Sequence, residues 1–190
     1  MNAQGPLLLL KVQILILVPS RGLGSGETHD NCHNNAVGVS DSSIILDSFM
    51  RAKSHNKSNG YNALPSYGRL YGTRGDGWCA EINDSDQWLQ VDLGKVTEVC
   101  AVATQGDING NEWVIDFKLA YSKSYEDVWP TYKDSNGSEV IFHREGGSYT
   151  IDQHALEVPV YARYIRFLPV TWQRSICLRV EVYGTTSEFV

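Results

Sequence analysis

The chain has 190 residues, 42% hydrophobic and 20% charged, enough for one domain with its own core and too few for two ordinary ones. Its 16 Lys and Arg against 22 Asp and Glu give a net charge of −6, which excludes sequence-independent nucleic-acid binding, where basic side chains must displace counterions. An aromatic share of 11%, with 5 Trp and 10 Tyr, excludes a disordered chain.

Residues 7–18 are apolar except for Lys11 and Gln13, a run shorter than the roughly 20 residues of a membrane-spanning helix. Pro19 and the small residues from Gly22 to Gly26 follow, so residues 1–26 read as a cleaved secretory signal peptide. Its removal would take away Lys11 and Arg21 and no acid, lowering 16 basic residues to 14 and the net charge from −6 to −8. Export agrees with sequons at Asn56, Asn83 and Asn136, the glycosylation candidates. It also permits disulfides among Cys32, Cys79, Cys100 and Cys177, for which three full pairings exist.

Beyond the leader, apolar residues alternate with period two. Leu89, Val91 and Leu93 share one face, as do Phe117, Leu119 and Tyr121. The pattern continues through 163–168, and in the last run Ile176, Leu178, Val180 and Val182 oppose Cys177, Arg179, Glu181 and Tyr183. Residues 96–104 are nearly all apolar or small, as in a strand buried on both faces. Turn-formers separate these runs at 59–60, 106–110, 134–137 and 146–147. Short strands at such intervals predict an all-β antiparallel sandwich or barrel. Residues 51–71 lack a strand pattern and read as a long exposed loop.

Motifs for catalysis are absent: no GxSxG, HExxH, Walker or GxGxxG sequence occurs. His143 and His154 could meet across a hairpin and are the one enzyme-like pair. Asp107, Asn109 and Asn111 place oxygens at alternate positions of a loop, a spacing that calcium sites use. Asp107 and Asn109 are therefore metal candidates, although Glu112 stands where an EF-hand loop needs glycine. Arg74-Gly75-Asp76 is an integrin-type tripeptide, and Gly72, Gly75 and Gly77 predict a flexible segment around it.

Three groups of motifs carry a family resemblance. The first is Gly77-Trp78-Cys79-Ala80 with Asp84-Ser85-Asp86-Gln87-Trp88-Leu89-Gln90-Val91-Asp92-Leu93-Gly94. The second is 102–106 with Glu112-Trp113-Val114 and Tyr121-Ser122. The third is Ala162-Arg163-Tyr164-Ile165-Arg166-Phe167-Leu168-Pro169 followed by 178–184. In this order they resemble the discoidin domain, also called the coagulation factor V/VIII type C domain, over residues 32–184, with 185–190 a short tail. The resemblance implies an eight-stranded antiparallel jelly-roll sandwich, galactose-binding-domain-like, with ligand-binding loops called spikes at one end. It also implies a secreted, non-enzymatic adhesion module that needs no cofactor and binds glycans, phospholipid headgroups or proteins.

By similarity the spikes fall near 49–62, 106–112 and 170–175. The expected ligand-binding residues are Met50, Arg51, Lys53, His55, Lys57, Tyr61, Asp107, Asn109, Asn111, Trp172 and Gln173. In membrane-binding members the first spike carries large apolar residues. Here Lys53, Lys57 and the Asn56 sequon occupy its centre, so glycan or protein partners rank above anionic phospholipid, and an integrin above neither. A fucose-binding subtype is not expected, because Phe49 stands where its His would. Most animal members join a starting Cys to one after the last strand, where Thr185 stands here. Cys32 is therefore expected free or intermolecular, in a homo-oligomer, along with Cys177. Cys79 and Cys100, which resemble cysteines of slime-mould discoidins, are the disulfide candidates.

Overall fold

The structure is a computed structural model that describes residues 32–57, 62–125 and 128–186. The expected signal peptide 1–26 and Tyr61 lie outside the described residues. The described residues form seven strands: β1 Met50–Ala52, β2 Trp78–Cys79, β3 Leu89–Gln105, β4 Trp113–Ser122, β5 Phe142–His143, β6 Asp152–Gln173 and β7 Cys177–Thr186. The order is β2-β7-β3-β6-β4-β5, with β1 also paired to β3, and every one of these pairings is antiparallel.

Two long strands turn this path into a sandwich. β3 is 17 residues and β6 is 22 residues long. Their mutual register breaks between Asp92 and Thr97, around Gly94, whose φ is +77°. Before the break β3 is flanked by β1 and the second half of β6; after it, by β7 and the first half of β6. Each long strand thus serves both layers, and the result is the expected antiparallel sandwich. The core lies between the layers and takes its residues from the faces that the alternation marked: Leu89, Val91, Phe117, Leu119, Phe167, Leu178 and Val180 are all at most 2% exposed. Each such side chain contributes roughly 1.5–3 kcal/mol by leaving water.

The cysteines correct the expected pairing. Cys32 joins Cys100, and Cys79 joins Cys177, so among the described residues no cysteine is free. Cys79 and Cys177 stand directly opposite each other in the β2–β7 register, which a sequence reading of either strand alone does not reveal. The first bridge has moved by one strand. Thr185 lies opposite Glu98 and Gly184 opposite Val99 in the β3–β7 ladder, so Cys100 on β3 takes up the anchoring of Cys32 that a cysteine after β7 would provide. Both bonds suit an oxidising compartment. Among the described residues no helix is long and apolar enough to cross a membrane.

The stretch 51–71 is more ordered than its composition predicted. β1 pairs with β3, a 3₁₀ turn spans Pro65–Tyr67, and Ala63, Arg69 and Leu70 are buried. Three side chains of β7 and its neighbours hold the loops from inside. Arg69 donates to Val39 O and pairs with Asp47 at 2.6 Å. Glu181 accepts the N–H groups of Val39 and Ser40, both at 2.8 Å. Arg179 reaches toward the spikes.

Candidate functional site

Buried under the loops at one end of the sandwich, Arg179 donates through Nε to Gly106 O at 2.7 Å, through Nη1 to Gly72 O at 3.2 Å and through Nη2 to Asp107 O at 3.4 Å. A single guanidinium therefore ties the second spike to the loop carrying Arg74-Gly75-Asp76. Burial lowers its pKa from the ordinary arginine value. Gly106 permits the close approach: a Cβ there would stand 2.5 Å from Ser148 Oγ and 2.6 Å from Trp113 Cβ.

Asp107 closes the second spike on itself. It is 3% exposed. Its Oδ1 accepts the N–H groups of Gly110 and Asn111 at 3.0 Å and of Glu112 at 3.1 Å, together with the Ser148 hydroxyl. Oδ1 of Asp107, one of the alternating oxygens that suggested calcium, is thus engaged by its own loop. Asn109 has a different partner: its Nδ2 donates to Asp76 Oδ1 at 2.7 Å. Cys79, Glu112 and Cys177 also approach one another, but the two sulfurs are bonded to each other and offer no thiolate.

From the third spike, Ser175 Oγ donates to Glu112 Oε1 at 2.9 Å, and Arg174 adopts a left-handed φ of +60°. From the first, Asn56 N–H donates to Cys79 O at 2.9 Å. The result is a cleft of about 350 Å³ lined by Asn56, Asp76, Asn109, Asn111, Glu112 and Arg174, with Asp107, Cys79 and Ser175 beneath and beside them. All three spikes and the Asp76 loop meet there. Asn109, Asn111 and Arg174 are exposed; Asn56, Asp76 and Glu112 are half-buried. Fixed amide, carboxylate and guanidinium groups converging on a concave surface can read the hydroxyls of a sugar or the polar groups of a peptide.

Other expected site residues lie elsewhere. Met50 is 4% exposed and belongs to the core, opposite Val91; it cannot enter a membrane, a correction to its spike assignment. Arg51 sits on the outer surface of β1 with its guanidinium over the Tyr125 ring. Lys53 and Lys57 are exposed, and His55 is half-buried, with burial and then Lys57 holding its pKa below the ordinary value. Trp172 packs against the core and Gln173 is exposed at the end of β6.

The tripeptide segment, expected to be flexible, is pinned. Arg74 pairs with Asp47 at 3.3 Å and lies over the Tyr67 ring. Gly75 has a φ of +58°, and a Cβ there would meet Tyr67 at 2.5 Å. His143 is exposed, with Nδ1 2.7 Å from Asp116 Oδ1. The His154 ring packs edge-on against Phe117 and Phe142. The enzyme-like pair therefore has two separate structural partners. Of the sequon residues, Asn83 uses its Oδ1 to accept Ile176 N–H at 2.8 Å, and Asn136 is exposed in the 134–137 turn.

Sequence reasoning missed Glu112, Arg174, Ser175 and the supporting Arg179. Arg179 had a signal: a charge in a strand whose other face is wholly apolar must be buried with partners or face a loop.

Residues 50–182 match the F5/8 type C domain family. A retinoschisin of Takifugu rubripes is 37% identical over 121 residues, covering 63% of this chain and 43% of that protein. Mouse lactadherin is 35% identical over 146 residues, covering 74% of this chain and 31% of that protein. The chain thus spans about half or less of the length of these relatives. Among solved structures, discoidin II of Dictyostelium discoideum shares the fold with a TM-score of 0.56 at 24% identity, over 73% of this chain and 55% of that one. A chitosan-binding module from a Paenibacillus chitosanase/glucanase does so with a TM-score of 0.54 at 18% identity, over 74% and 98%. With the sandwich, the spikes and the family motifs in agreement, the chain belongs to the F5/8 type C, or discoidin, domain family.

Proposed function

We propose that this domain is a secreted, non-catalytic adhesion module that binds cell-surface or matrix glycans, or the proteins that carry them, through the spike-end cleft. The observation that carries this reading is the convergence of Asp76, Asn109, Asn111, Glu112 and Arg174 on one polar cavity. A membrane-inserting reading needs apolar side chains at the spike tips; of its two candidates Met50 is core, and Tyr61 lies outside the described residues. Lys53 and Lys57 retain only a surface attraction for anionic headgroups, about 1 kcal/mol each. An integrin reading needs Arg74 and Asp76 free, and each has a partner within the domain, Asp47 for Arg74 and Asn109 of the second spike for Asp76. A single shallow cleft binds weakly, so clustering of several copies would raise avidity; such clustering is non-covalent here, since Cys32 and Cys177 are both paired internally.

A glycan array run beside sedimentation with phosphatidylserine vesicles tests the reading. Array binding that is lost in Arg174→Gln and Asn109→Ala supports it. Vesicle binding with an empty array overturns it.

A further inference from the structure

A second cleft, of about 360 Å³, opens on the outer face of the β1–β3–β6 layer, and it shares no lining residue with the spike-end cleft. Gln90 and Tyr164, 1% and 8% exposed, form its floor. Ser48, Phe49, Arg51, Asp92, Tyr125 and Arg163 form its walls. From this geometry we infer a second binding site, for an acidic glycan that carries carboxylate or sulfate groups on its sugar rings.

Charge is the first argument. Arg163 is held by Asp92 through Nε at 2.8 Å and Nη2 at 3.0 Å, which orients it and leaves Nη1 to donate. Arg51 has no carboxylate partner among the described residues; its guanidinium lies 5.4 Å from the centre of the exposed Tyr125 ring. Beside the cleft, Arg166 donates to Gln90 Oε1 at 3.0 Å and is stacked between Trp88 and Trp129, 4.4 and 3.5 Å from their ring centres. Three guanidiniums therefore share one carboxylate. A guanidinium fork matches carboxylate and sulfate oxygens two at a time, and aromatic contact leaves its edge donors available for that use.

The second argument is the ring surface. Tyr125 meets Tyr164 edge-on at 6.0 Å, and Trp129 meets Tyr164 at 6.1 Å. These contacts hold Tyr125 and Trp129 against Tyr164 of β6, so Tyr125 is a supported platform beside the cations. An aromatic face next to fixed polar groups suits a sugar, whose C–H faces are apolar and whose edges are not. Ser48 adds an exposed hydroxyl at the rim. The occupant is a polysaccharide rather than a lipid surface, because the donors line a cavity above buried residues instead of projecting from a loop tip.

The test titrates the full chain with a sulfated uronate-containing oligosaccharide, with its desulfated and its carboxyl-reduced analogue, and with the analogue given both treatments, which carries no charge, at fixed ionic strength. We expect binding that weakens about tenfold or more in Arg51→Gln, since a hydrogen bond to a charged group is worth about that much, and that Arg51→Lys recovers in part. The two singly treated analogues show which anion carries the affinity. Arg51 is exposed, so the variant keeps the parent's melting temperature. Arg174→Gln, in the spike-end cleft, leaves this affinity unchanged, which separates the second site from the first. Equal binding of the fully uncharged analogue, unchanged affinity in Arg51→Gln, or loss in Arg174→Gln overturns the inference. So does Arg51-dependent binding to phosphatidylserine vesicles with none to the oligosaccharide.

Discussion

Over residues 177–182 the two faces of β7 are equally dry and are held by different forces. Ile176, Leu178, Val180 and Val182 are at most marginally exposed and pack into the core. Cys177, Arg179 and Glu181, on the other face, are no more than 5% exposed, and each is bonded to a loop or to the short neighbouring strand β2. The apolar face makes the sandwich, where close packing matters and hydrogen bonds do not. The second face makes the spike end, where backbone carbonyls and amides without ladder partners would be costly to bury and are satisfied by ionised side chains. One strand thus joins the stable part of the molecule to its recognition surface. The difference predicts that the first face governs whether the domain folds and the second governs how well its loops are placed.

The largest effect is expected where the second face is covalent. Replacing Cys79 and Cys177 together by Ser opens a loop of 98 residues and costs about 4 kcal/mol, measurable as a lower midpoint in denaturant with a steeper slope, because the uncrosslinked unfolded chain exposes more surface. Next comes the apolar face. Leu178→Ala removes a side chain with no exposure and costs about 3 kcal/mol by transfer and cavity. Its binding, measured well below the midpoint, stays near that of the parent.

Arg179→Met sharpens the comparison most, since it keeps volume and removes the donors to Gly72, Gly106 and Asp107. We expect a loss of about 2 kcal/mol from unsatisfied carbonyls. Faster hydrogen exchange should accompany it at the amides of Gly110, Asn111 and Glu112, with weaker glycan binding. Unchanged exchange in this variant would break the division between the two faces. A loss as large in Leu178→Ala as in Arg179→Met for binding would break it equally.

The strands were legible in the sequence because period two is a local property: Leu89, Val91 and Leu93, or Phe117 and Leu119, declare their face without knowing their neighbours. The family motifs located the spike end for the same reason. What was not legible depends on register between distant segments. The partner of Cys79 is decided by where β2 meets β7, and that of Cys32 by the place of Thr185 beside β3. Met50 was misplaced because a strand of 3 residues shows no period. Arg51, its neighbour, consequently faces the sheet surface. That Asp107 caps its own loop was not legible, because a carboxylate that does so and one that holds a metal have the same sequence signature.

The smallest effect concerns pH and tests whether the core that the apolar face packs into tolerates a titrating group at its edge. His154, opposite Val102 on β6, packs against Phe117 and Phe142. Burial lowers its pKa below the ordinary value of 6.5; Asp152 works against this, while Arg144 and His143 add to it. The folded chain therefore holds His154 neutral in a range where the unfolded chain protonates it. Below about pH 6.5 the unfolded state binds more protons, so the contribution is present above that value and is lost as the pH falls toward the depressed folded value. His55 shifts in the same direction and gives part of the same slope, so the difference between parent and variant is the quantity to read. His154→Phe, with a ring of similar size against the same two aromatics, should retain more stability than the parent at pH 5.5 and reduce the acid-side slope in chemical denaturation. An unchanged slope would mean that the ring is hydrated in the folded state.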